Sequence, residues 1–150
     1  MKDLDLVFKN ATRDTLPWRG LIVCAFHAAR PWLKIPKRHT AELGVQIIGP
    51  ARMRSMNRHW RKVDTPTDVL SFPLHQRPIR GYTAVSLGDL FICPAIVRAK
   101  AKADGRPVKD QMKWTIVHGL LHLAGYDHEK SAAAARRMAS VERTILKKIG

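Results

Sequence analysis

Cysteine is almost missing from this chain of 150 residues: only Cys24 and Cys93 occur, isolated and far apart. Neither sits in a C-x-x-C motif, so neither is assigned chemistry. Two buried free thiols in a reducing compartment are expected rather than a disulfide. Long apolar runs are missing too, which excludes a membrane-spanning helix. The amino terminus, MKDLDLVFKN, lacks the apolar core of a signal peptide, so the expected location is the cytoplasm. Repeats, low-complexity segments and linkers are absent, and the length suits one domain with a sizeable core.

Acidic residues are also scarce. Twelve Asp plus Glu face 27 Lys plus Arg, a formal net charge of +15 with histidines neutral. Such a surface favours polyanions, and nucleic acid is the leading partner. An acidic membrane surface is the weaker reading, because no helical segment joins a basic face to an exposed apolar one. At 45% hydrophobic and 26% charged, the composition is that of a globular protein rather than a disordered tail.

What is present reads as an alternation of short strands and amphipathic helices. Strands are expected at 3–8, 42–49, 69–72 and 85–92, with Gly88 a bulge or a site of close backbone approach. A helix is expected from Thr15 and Pro17 to Pro31, and others at 50–60, 93–104, about 107–124 and 131–149. In the 50–60 helix Met53, Met56 and Trp60 share helical spacing and are expected to be core. Strands early and helices late give an α+β class: a small mixed β-sheet of about four strands packed with about five helices.

The chemistry concentrates in HGLLHLAGYDH, residues 118–128. His118 and His122 are i and i+4, so their side chains stack on one helix face. Gly125 accepts the left-handed conformation that ends a helix, and the reversed chain can bring His128 back to the pair. Three imidazoles are then the candidate metal ligands, the count of a catalytic zinc site with a fourth position open; zinc, nickel, cobalt and iron all suit them. His27, His39, His59 and His75 fall in no such pattern and are expected on the surface or in loops, with His59 or His75 at most lining a groove.

The spacing matches the metzincin pattern H-E-x-x-H-x-x-G-x-x-H except at one place, where Gly119 replaces the glutamate that serves as general base. A glycine cannot move a proton, so a reaction other than peptide hydrolysis is implied. Upstream, NRHWRKVDTPTDVLSFP (57–73) places Arg61 between a helix and a turn. Its planar fork suits two phosphate oxygens, so a tri-histidine metal plus Arg61 is a reasonable phosphodiester site.

PTDVLSFP, LGDLFI and HGLLHLAGYDH, in that order and spacing, closely resemble the YbeY family, the metal-dependent bacterial endoribonucleases of ribosomal RNA maturation. The resemblance spans roughly residues 42 to 149, and residues 1 to 41 match only loosely. It implies a zinc held by His118, His122 and His128, cleavage of single-stranded RNA, and late 16S ribosomal RNA 3′-end maturation. It also implies work on the ribosome or small subunit, including quality control of the 70S particle. The family's functional arginine, in N-x-x-[YW]-R, falls on Arg61, as catalytic and substrate-binding residue; its essential first histidine falls on His118. Where family members often read M-E-x-x-E, this chain has Met138, Ala139 and Glu142, which leaves a role for the first glutamate in doubt.

Two other functions compete. One is a metallohydrolase of peptides or small esters, with Asp127 the nearest water-activating candidate. The other is a ribosome-assembly RNA-binding protein whose metal is structural. The sequence leaves open whether water or the RNA's own 2′-hydroxyl attacks, which group is the general base, and the oligomeric state.

Overall fold

Leu4, Leu6 and Phe8 alternate with Asp5 and Val7, so one side of this segment can be buried while Val7 stays 71% exposed. That segment is the first strand, β1 (Leu4–Asn10), of a computed structural model that describes residues 2–74 and 79–150. After it come α1 (Trp18–Ala29), a one-turn 3-10 helix at Arg30–Trp32, β2 (Thr40–Ile47), α2 (Pro50–Arg61), β3 (Val69–Pro73), β4 (Ala84–Ile92), α3 (Pro94–Ala103), α4 (Val108–Leu123) and α5 (Ala132–Ile149). Pro50 and Pro94 open their helices where a missing N–H costs nothing. Ser131 caps α5 by accepting a hydrogen bond from the Ala134 amide at 3.0 Å. His75 lies outside the described residues.

The sheet order is β1-β2-β4-β3, with β1, β2 and β4 parallel and β3 an antiparallel edge. This is the expected single α+β domain with a four-stranded mixed sheet. Glu42 pairs with Ser86 but Leu43 pairs with Gly88, so Leu87 is the extra residue of a bulge. Gly88 sits at φ +124°, and a Cβ there would run into the Phe72 carbonyl oxygen. The bulge expected at Gly88 is therefore present.

One face of the sheet carries α1, α4 and α5, where Ile22, Phe26, Ile116, Leu120 and Met138 bury against Leu43, Val45 and Leu90. Successive strand residues point to opposite faces, so Leu70, Phe72 and Phe91 turn away from α4. They meet Met53 and Met56 of α2 in a second, smaller cluster. Helix α2 thus lies on the other side of the sheet from α4.

Two expectations are corrected here. Trp60, placed in the core by its spacing, is 62% exposed. The sheet ends at β3, beneath the last turn of α2, and among the described aromatic rings the indole meets Phe72 and its neighbour His59, both edge to face. Of the cysteines, both free, Cys93 is buried but Cys24 is exposed, off the α1 stripe of Ile22, Ala25, Phe26 and Ala29.

Candidate metal centre

Helix α4 presents Trp114, His118 and His122 on successive turns of one face. Its end has the geometry foreseen for Gly125. With Gly125 at φ +97°, its amide donates to the His122 carbonyl and the Tyr126 amide donates to the Leu121 carbonyl, both at 3.0 Å. These paired bonds satisfy carbonyls the helix would orphan and reverse the chain. His128 is thereby returned to the other two.

Nε2 of His122 lies 3.1 Å from Nε2 of His118 and 3.2 Å from Nδ1 of His128. One nitrogen from each ring falls within 4.8 Å of the others. Nitrogens bound tetrahedrally to a zinc-sized ion stand roughly 3.3 Å apart, so the spacing suits such an ion. The protonation chemistry agrees. Nδ1 of His118 lies 3.1 Å from the buried Glu142 carboxylate, which can only accept, so Nδ1 carries the proton and Nε2 offers a lone pair. Neutral rings can then satisfy only one of the two short contacts at His122. A cation among the three nitrogens would satisfy both.

Burial holds the His122 pKa below its ordinary value, and the neighbouring His118 and His128 charges lower it further; the Tyr126 backbone and Asp127 oppose them. A neutral imidazole is the form that binds a metal. Trp114 stacks on His118 with ring centroids 4.4 Å apart and planes 19° apart, so that ring is fixed by Glu142 at one nitrogen and by an indole on its face. The carboxylate–histidine pairing is the usual outer support of a metal-binding imidazole.

Gly119 explains why this scaffold carries no peptidase glutamate. Helix α4 lies so close to the sheet that a Cβ at 119 would stand 3.1 Å from both Leu90 Cδ2 and Val69 Cγ2. Ser71 reaches across to donate to the Gly119 carbonyl at 3.1 Å. Position 119 faces the sheet, and a side chain there would crowd the Leu90 and Val69 methyls. Asp127, the other candidate for activating water, accepts the Glu129 amide at 2.9 Å and so shapes the turn that carries His128.

Arg61, the last residue of α2, is brought to the same place from the opposite layer. Its Nη2 lies 3.4 Å from Oε1 of Glu129, an oxygen that is also 3.9 Å from His128 Nε2. One carboxylate therefore spans the gap between the arginine and the histidine cluster. The end of α2 is secured from below: Asn57, 2% exposed, donates to the Thr65 carbonyl at 2.8 Å. Further along that loop, buried Asp68 accepts from Thr115 of α4 at 3.1 Å and pairs with Lys100 at 3.1 Å. The loop between α2 and β3 is thus tied to the helix that bears the histidines. Of the other described histidines, His27 and His59 are exposed and His39 half-buried, all apart from this cluster.

Glu129 and Asp68 were not singled out from the sequence, and Glu142 was met only in the stretch matching M-E-x-x-E, without a role. Glu142 did leave a signal, being a charge on the buried stripe of α5 with Met138 and Ile145.

The family model described as "Endoribonuclease YbeY" matches residues 9–150. The chain belongs to the YbeY family. The match to YbeY reaches further back than the expected residue 42, into β1. A relative named "Endoribonuclease YbeY" from Alkalilimnicola ehrlichii is 42% identical over 99% of this chain and 87% of its own length. One of the same name from Halorhodospira halophila is 36% identical over 100% of this chain and 95% of its own. The solution structure of a Thermotoga maritima protein shares the fold, with TM-score 0.65 at 21% identity, covering 97% of this chain and 89% of that one.

Proposed function

We propose that this YbeY-family chain is a zinc-dependent endoribonuclease that cuts single-stranded RNA. It acts in the cytoplasm on ribosomal RNA, in late 16S 3′-end maturation, with a part in 70S ribosome quality control and contact with the small subunit. The observation that carries this reading is the meeting of three imidazoles with Arg61, on a chain of net charge +15. The family and the names of its members supply the substrate class. Among the described residues no helix is long and apolar enough to cross a membrane.

In this reading His118, His122 and His128 hold the ion, which when bound would supply charge stabilisation at the scissile phosphate. Glu142 keeps the proton on Nδ1 of His118 and the ring in place. Arg61 offers two parallel N–H donors to phosphate oxygens, a contact that strengthens as charge grows on them. Its exchange of Glu129 for phosphate is a swap between exposed partners, which costs little.

The test is cleavage of a single-stranded RNA from the 3′ region of precursor 16S ribosomal RNA, beside casein and a small ester, with and without a chelator. RNA cutting that stops on chelation and returns with zinc is expected. Casein or ester turnover without RNA cutting would replace this reading with the metallohydrolase one. Tight RNA binding without any cutting would favour an assembly factor. A 2′,3′-cyclic phosphate on the product would assign the attack to the RNA's own hydroxyl.

A further inference from the structure

Four tryptophans occur in the chain, and three have their rings occupied. Trp18 is 1% exposed, Trp114 is stacked on His118, and Lys148 Nζ lies 4.8 Å from the centroid of Trp32. Trp60 differs. Its two ring neighbours meet it edge to face, His59 at 4.8 Å and 86° and Phe72 at 5.6 Å and 74°, so neither lies flat on the indole. Phe72 in turn abuts Phe91 at 5.6 Å, which roots the exposed ring in the small cluster beneath α2. Among the described residues the indole is held from two sides yet lacks a stacked partner.

Its surroundings say what that partner is. Helix α2 carries Arg52, Arg54, Arg58 and Arg61 and no acidic residue. Of these four arginines, only Arg54, with Asp64, and Arg61, with Glu129, have a carboxylate of the described residues within ion-pairing distance. The aromatic is therefore set in a cationic helix, one residue before the arginine that approaches the histidine cluster. An exposed π face on a helix that carries four arginines and no carboxylate suits a ligand that alternates planar rings with negative charge, which describes an unpaired nucleic-acid strand.

We propose that the Trp60 indole is a stacking platform for an unpaired nucleobase next to the phosphate that Arg61 contacts. This rests on the endoribonuclease reading and deepens it. A paired base has both faces covered by its neighbours in the helix, so the platform selects single strands by shape rather than sequence. Every base has a π face, so the preference among bases is small.

The experiment measures binding of a short single-stranded RNA, made cleavage-resistant by phosphorothioate linkages, to the wild type, Trp60→Ala and Trp60→Phe. The same proteins are titrated with a strand of equal length built wholly from abasic sites. Trp60→Ala is expected to weaken RNA binding by between about 5-fold and 100-fold, the range for loss of one base–aromatic stack. Trp60→Phe should recover most of the affinity, and the abasic strand should bind all three proteins alike, which also reports that they are folded. Unchanged RNA affinity in Trp60→Ala would overturn the platform and leave the exposed indole to a protein contact. Equal losses on RNA and abasic strand would overturn it as well. If the wild type binds RNA no better than the abasic strand, the platform falls while the endoribonuclease reading, which rests on contacts to the phosphate, is decided by the cleavage assay.

Discussion

The histidine cluster and the end of α2 face each other across Glu129, yet they are built in opposite ways. The cluster is local: two imidazoles one turn apart, a third returned by a glycine turn, with buried Glu142 and half-buried Trp114 locking His118. Arg61 arrives from the other side of the sheet, its side chain half open to solvent and its single carboxylate contact long at 3.4 Å. Rigidity on one side suits holding an ion at fixed distances. An accessible, replaceable contact on the other suits gripping a phosphate that must come and go. The comparison separates holding from reacting, and substitutions on each side should separate them too.

The largest effect is expected at the packed side. Gly119→Glu would push a carboxylate into the space filled by Leu90 and Val69. A cost above about 3 kcal/mol, or a fall in Tm of roughly 10 °C, should follow, without any gain of peptidase activity. Thermal unfolding and a casein assay check both. On the open side, Arg61→Ala should leave Tm and metal content intact while RNA cleavage falls by roughly 100-fold or more. Lysine there should rescue only part, because a point charge does not replace a two-pronged contact. Wild-type rates in Arg61→Ala would erase the proposed division of labour.

Smaller effects probe the support beneath the cluster. Glu142→Gln keeps the shape but removes the carboxylate that fixes the His118 proton. Metal affinity should drop by about 10- to 100-fold, read by competition with a zinc-binding dye. The smallest effect concerns pH. Because the folded chain holds His122 below its ordinary pKa, the unfolded chain binds more protons as pH falls through the ordinary imidazole range. Stability of the metal-free protein should therefore be greater at pH 7.5 than at pH 5.5, with His122→Gln flattening that slope in denaturant titrations.

The same contrast governs what could be read from the sequence. The His118–His128 arrangement was legible because spacing and a helix-ending glycine decide it within eleven residues. The element pattern and the Gly88 bulge were legible for the same reason. Arg61 is different: its approach to the cluster depends on α2 and α4 lying on opposite faces of the sheet and on the loop tied down by Asp68. Its side-chain chemistry and the resemblance to YbeY pointed to it, but no local pattern showed that it would reach the cluster. Glu142 comes from α5, 24 residues after His118, and no local pattern joins them. Trp60 was misplaced because helical spacing shows which residues share a face, while the extent of the sheet beneath that face is a tertiary property.

The central claim is that three imidazoles hold an ion which Arg61 does not touch. Elemental analysis of the purified wild type, His118→Ala, His122→Ala, His128→Ala and Arg61→Ala, with RNA cleavage measured on the same samples, tests it most directly. About one transition ion per chain is expected in the wild type and in Arg61→Ala, with a sharp loss in each histidine variant and cleavage lost in all four variants. Full metal occupancy in the three histidine variants would contradict it.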